Sequence, residues 1–234
     1  YEFKSEQEHL KQILDLLKKK RKEVEARLPG KRQNLLSARS EMWEDAPHNI
    51  RSFDDVVEFH NYNQNVYEKS KRYTDDIEEL RRTDSLICSP YFGRFDFKAD
   101  GSDEYEPIYI GKYSFYNKTD TTHYIYDWRA PISSIYYEYD IGRVSYSSPG
   151  GIYHGDVALK RQYKIKNSKI EYMFDAETTV QDEILGRILA ENTDSKLKVI
   201  ISSIQREQNA AIRNLTDKYV LIYGPAGSGK TSVG

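Results

Sequence analysis

The chain has 234 residues, with 35 Lys and Arg against 37 Asp and Glu, for a formal net charge of −2. A mean hydropathy of −0.79, no stretch near the ~18–20 apolar residues of a membrane span and no signal peptide in YEFKSEQEHL point to a cytoplasmic protein with no membrane partner. The single cysteine, Cys88, excludes an internal disulfide, and the near-neutral charge argues against coating nucleic acid by bulk electrostatics.

Residues 1 to about 88 read as helix. Phe3, Leu10, Leu17 and Val24 recur every seven residues, and Leu14, Leu28, Leu35 and Met42 form a second stripe four residues out of step. That is the spacing of a coiled-coil seam. Pro29-Gly30 interrupts the run, and because proline removes a helical donor, a kink or brief break is expected there. After a polar loop, Ser52-Phe53-Asp54-Asp55 has the form of a helix cap, and Phe59, Val66, Tyr73, Leu80 and Ile87 again repeat every seven. Two such helices predict an antiparallel hairpin, an arm roughly 50–60 Å long. The run Lys18-Lys19-Lys20-Arg21-Lys22 reads as a solvated helix face.

From Ser89-Pro90 onward the pattern changes. Residues 91–175 hold 14 of the 20 Tyr. YIYDW, SIYYEY and RVSYSS read as strands. Tyr163–Lys166 and Lys169–Phe174 around Asn167-Ser168 read as a hairpin, with further turns at Asp140-Ile141-Gly142 and Pro149-Gly150-Gly151. The expectation is an antiparallel β-rich module of six or seven strands. Asp127 and Arg129, two apart, share a strand face and form a structural ion pair in this reading. The five His show no metal-ligand spacing.

Residues 178–214 return to helical periodicity. Tyr219–Tyr223 then reads as a strand buried on both faces, followed by Gly224-Pro225-Ala226-Gly227-Ser228-Gly229-Lys230-Thr231. This is the G-x-x-x-x-G-K-[ST] phosphate-binding loop in its required place after a strand. Its glycines let successive N–H groups point at phosphate oxygens. Lys230 bridges the β- and γ-phosphates and is the catalytic lysine, and Thr231 offers its hydroxyl to Mg²⁺. ATP and Mg²⁺ are therefore the expected cofactors. The carboxylate and water-positioning residue of a complete ATPase come from later strands, so the chain reads as the N-terminal piece of a larger ATPase, inactive by itself. Upstream, Gln208, or alternatively Gln205, resembles by its spacing from the phosphate loop the glutamine that reads adenine in the helicase Q motif.

That Gln resembles the Q motif of superfamily 1 helicases of the UvrD/Rep type. SPYFGRFDF (89–97), YIYDWRAPISSIYYEYD (124–140), LKRQYKI (159–165), the MWEDAPH…SFDDVVEF segment (42–59) and GPAGSGKTS together resemble the HelD family, helicase-like ATPases that bind bacterial RNA polymerase. The resemblance implies an arm that enters the polymerase secondary channel and ATPase domains that help release polymerase from nucleic acid. It places the arm's tip near the polymerase active site, where Asp54, Asp55 and Glu58, among the local acids Glu44 and Asp45, would approach its Mg²⁺.

The resulting fold class is α+β: a helical hairpin arm (1–88), an antiparallel β-rich module (89–177), and helices leading into the first strand and phosphate loop of a truncated RecA-like domain (178–234). The partner expected is core RNA polymerase, with DNA through further domains, and the chain is expected to be monomeric. Two alternatives stay open: the N-terminal part of a UvrD/Rep-like DNA repair helicase, and a scaffold whose heptads pair between chains.

Overall fold

A computed structural model describes residues 2–47, 52–117 and 122–175, with Leu221 and Tyr223. The chain divides into two compact units, Tyr1–Cys88 and Ser89–Gly234.

The first unit consists of helix α1 (Glu2–Asp45) and helix α2 (Phe53–Cys88). At a rise of about 1.5 Å per residue, α1 is roughly 65 Å long. The ion pairs fix the direction of packing. Arg21 meets Asp84, Arg27 meets Glu79, and Lys31 meets Asp76. Partners descend along α2 as they ascend along α1, so the hairpin is antiparallel. Pro29 lies inside α1, which runs unbroken past it, so of the expected kink or brief break the break does not occur. Pro29 and Gly30 are exposed, and a Cβ at Gly30 would meet nothing within 4 Å. The missing donor therefore faces water and leaves no buried carbonyl orphaned.

Leu10, Leu17, Val24, Leu14 and Leu35 are buried, as the stripes predict, and Ala38 continues the first of them. Phe3 and Phe59, at the outer ends of their stripes, are exposed. The α2 seam differs from its sequence reading. Val66, Tyr73, Leu80 and Ile87 are only partly buried, and the fully buried positions are Asp76, Thr83 and Leu86. Asp76 and Thr83 belong to a second seven-residue stripe, with Tyr62 and Lys69, that is polar throughout. Thr83 satisfies its hydroxyl by donating to the Glu79 carbonyl at 2.7 Å. Asp76 is held by Lys31 at 2.7 Å and faces Arg27 at 3.6 Å. A single charged contact at a seam position sets register, because sliding the helices would leave the buried carboxylate without its cations.

The second unit is built on a seven-stranded sheet among the described residues. Its strands are β1 (Gly93–Ala99), β2 (Glu106–Gly111), β3 (Phe115–Tyr116), β4 (His123–Asp127), β5 (Gly142–Ser148), β6 (Gly151–Lys166) and β7 (Lys169–Asp175). The order is β3-β4-β2-β1-β6-β5, with β7 also on β6. Strand β6 is the spine, pairing with β5 over its first half and with β7 over its second. The predicted β6–β7 hairpin is present, and the turn expected at Pro149-Gly150-Gly151 joins β5 to β6. Asn167 and Ser168 take φ of 49° and 65° in the β6–β7 turn, as a two-residue turn between twisted strands requires.

Two expectations are corrected. The sheet is mixed, because β2 and β4 run parallel, Ile110 beside Tyr126. The Ser134–Glu138 segment, expected as a strand, is helix α3, entered through a 3₁₀ turn at Pro131–Ser133. Pro131 suits the first turn of a helix. Ile132, Ile135, Tyr136 and Tyr139 recur at helical spacing and pack on the core of Phe92, Phe95, Phe97, Ile108, Ile110, Val144 and Val157. Tertiary burial therefore overrides the strand preference of Ile and Tyr. Tyr136 lies so close to β1 that a Cβ at Gly93 would meet its ring at 2.9 Å. On the opposite sheet face, Tyr91, Tyr109 and Tyr163 form a buried aromatic cluster with centroids 4.8–6.5 Å apart.

Candidate functional site

The predicted tip residues start α2. Ser52 precedes the helix and makes a reciprocal cap: the Asp55 N–H donates to Ser52 Oγ at 3.2 Å, and the Ser52 N–H donates to Asp55 Oδ2 at 2.8 Å. This is a capping box with Asp in place of Glu. It gives Asp55 a structural task, since one carboxylate oxygen is already spent on an orphan donor of the helix start. Asp54 and Glu58 stand four apart on one flank of the first two turns. Glu58 is brought together with acids of α1. The Tyr62 hydroxyl is held above its ordinary pKa, first by desolvation and then by the charges of Asp45, Glu58 and Glu41. The structure thus brings the charges of Asp45, Glu58 and Glu41 to bear on one phenol.

Charge sharpens the picture. Residues 41–60 hold six Asp and Glu against one Arg, in a chain whose net charge is only −2. The arm is neutral as a whole and acidic at its turn. Among the described residues, no group of three His, Cys, Asp or Glu is arranged to hold a metal ion by itself.

A feature that the heptad reading missed lies beside these acids. Phe53 is 79 % exposed and Trp43 80 %, and Val56 and Val57 are exposed as well. The signal was present in the sequence, as apolar residues in the first turns of α2 at positions off the predicted stripe.

In the second unit, Asp127 and Arg129 do pair. Arg129 donates from Nε and Nη2 to the two Asp127 oxygens at 2.9 and 3.0 Å, and its backbone N–H donates to Oδ1 at 2.8 Å. Asp127 ends β4 and Arg129 lies in the following turn, so the pair closes a turn and does not share a strand face. The hydrogen bond and charge of Asp127 raise the Arg129 pKa further, and the guanidinium lies 5.5 Å over the Trp128 ring. This is the geometry of a structural fastening.

The residues assigned to nucleotide, Gln208, Gly224, Pro225, Ala226, Gly227, Ser228, Gly229, Lys230 and Thr231, lie outside the described residues. So does the alternative Gln205.

Comparison with known families matches residues 3–191 to the N-terminal domain of DNA helicase IV HelD. The match spans both the helical hairpin and the mixed sheet. The chain belongs to this family. Comparison with curated proteins gives no match. As a HelD N-terminal domain, the chain carries a helical hairpin and an α+β arrangement in which helices precede a mixed sheet. The matched residues end before the phosphate-loop sequence at 224–231. No helix among the described residues is long and apolar enough to cross a membrane.

Proposed function

We propose that this HelD-type chain is the polymerase-engaging and nucleotide-site-initiating part of an ATP-dependent helicase-like protein. In this reading the helical arm binds core RNA polymerase through its secondary channel, and ATP turnover in the complete protein helps release polymerase from nucleic acid. The observation that carries the reading is the arm itself. A hairpin about 50–65 Å long forms a compact unit of its own with a register-setting buried carboxylate, and its acidic turn is suited to the neighbourhood of a partner's catalytic cation. Asp54 and Glu58 are the acids to approach that Mg²⁺. Asp55 contributes chiefly by holding the helix start that positions them.

The nucleotide half of the proposal rests on the sequence Gly224–Thr231. Lys230 would meet the β- and γ-phosphates, Thr231 the Mg²⁺, and Gln208 the adenine edge. A pull-down of the chain on immobilised core RNA polymerase tests the first half, and retention at moderate salt is expected. Asp54→Asn/Glu58→Gln should reduce inhibition of transcription more than retention. Lys230→Ala in the full-length protein tests the second half and should abolish ATP hydrolysis. Persisting turnover would refute the assignment.

A further inference from the structure

The first two turns of α2 present an apolar face that the arm does not use. Phe53, Val56 and Val57 are spaced i, i+3, i+4 and so share one face. All three are exposed, Phe53 to 79 % and the valines to more than 40 %. At about 100° per residue this face lies roughly opposite the Asp55–Tyr62–Asp76–Thr83 stripe, whose later members are buried in the hairpin seam. Hairpin formation therefore cannot cover it. The arm's heptad packing gives no reason for Phe53, which is not on a stripe. Isolated exposed apolar residues are ordinary, but three on adjacent turns at the start of one helix form a patch.

Charge says what fits the patch. Asp54, one residue after Phe53, adjoins it, and residues 41–60 hold six acids against one Arg. Such a surface repels nucleic acid and anionic lipid. It is complementary to a protein groove with an apolar floor and a rim of Lys and Arg.

We infer that Phe53, Val56 and Val57 form the anchoring face of the arm's tip, seated in an apolar, basic-rimmed groove of its protein partner, while Asp54 and Glu58 steer and orient the docking. This rests on the reading of the arm as the polymerase-binding element and deepens it. Residence time comes from the apolar face, and encounter rate comes from the flanking acids. It separates gripping from any action of the carboxylates on a cation. The helix start is fixed by the Ser52–Asp55 cap, so the face is presented preformed and little ordering is needed on binding.

The test uses the 234-residue chain and purified core RNA polymerase on a biosensor, at about 0.1 M and about 0.5 M salt. Phe53→Ser/Val57→Ser is expected to weaken binding about tenfold or more, mainly through faster dissociation and at both salts. Its far-UV circular dichroism should be unchanged, because both side chains are exposed. Phe53→Leu/Val57→Ile should bind like the wild type. Asp54→Asn/Glu58→Gln should slow association at low salt only. Wild-type retention with an unaffected Phe53→Ser/Val57→Ser variant overturns the inference and leaves the arm as the polymerase-binding element. Absence of wild-type retention removes the polymerase reading and the inference with it. Two further results also overturn the inference: a wild-type dimer in light scattering that Phe53→Ser/Val57→Ser dissociates, and binding to phosphatidylserine-containing vesicles that the same variant loses.

Discussion

The buried contact at the arm's seam gives an asymmetric expectation. The Asp76 side chain is only 7 % exposed, whereas its cations Lys31 and Arg27 are 32 % and 46 % exposed. Removing one partner of a fully buried pair costs about 3–5 kcal/mol, chiefly because the survivor stays buried and uncompensated. Here the survivor differs with the side removed. After Asp76→Ala, Lys31 and Arg27 can turn to water, and the contact falls toward the exposed-pair range. With the small cavity, the loss should be about 1–2 kcal/mol. After Lys31→Met/Arg27→Met, the carboxylate has no comparable escape, and the loss should reach about 3 kcal/mol. Asp76→Leu replaces the carboxylate with an apolar seam residue and should cost less than the double cation variant, because no charge is left buried and Lys31 and Arg27 can turn to water.

Thermal unfolding followed at 222 nm reads the arm, since among the described residues α1 and α2 hold 44 and 36 residues against 5 in α3. At about 2–4 °C per kcal/mol for a chain of this size, the double cation variant should lose about 6–12 °C and Asp76→Ala about half of that or less. Equal losses, or a larger loss for Asp76→Ala, would refute the argument that the buried carboxylate dominates the energetics.

Three further outcomes follow from the geometry. Ser52→Ala removes the acceptor for the Asp55 N–H and should cost about 1 kcal/mol at the helix start, seen as faster amide exchange at 54–57 with no change near Asp76. Gly93→Ala would push a methyl into the Tyr136 ring and should lower the melting temperature of the second unit by several degrees, with recovery in Gly93→Ala/Tyr136→Leu. Burial raises the Tyr136 pKa, so above about pH 10 the unfolded chain loses this proton while the native state keeps it, and stability falls as pH rises. Burial lowers the pKa of neighbouring Lys160, so between that lowered value and about 10.5 its contribution has the opposite sign. Denaturant midpoints from pH 9 to 11.5 should fall less steeply in Tyr136→Phe than in the wild type.

The hairpin was legible because Leu14, Leu28 and Leu35 keep a seven-residue period across Pro29, and helical propensity and packing agree there. The polar seam of α2 was not, because a search for apolar repeats passes over Asp76 and Thr83. Their burial follows from what α1 places opposite them, Lys31 above all. Residues 134–138 misled for a related reason. Ile and Tyr favour strands locally, and only the core beneath Ile135 and Tyr136 reveals a helix. The parallel β2–β4 pairing has no local signature at all, since it depends on where the chain returns after β3. At the candidate site, the cap was legible in Ser52 and Asp55. The apolar face was overlooked because Phe53, Val56 and Val57 fall outside the heptads, and a position outside the seam is what makes it available to a partner.

In the proposed function the arm engages core RNA polymerase. Site-specific photo-crosslinking from position 53 of the 234-residue chain to purified core polymerase tests it most directly. A crosslink to the wall of the secondary channel is expected, lost on addition of excess unlabelled chain. Efficient crosslinking elsewhere on polymerase, or none from position 53 while the second unit crosslinks, would contradict it.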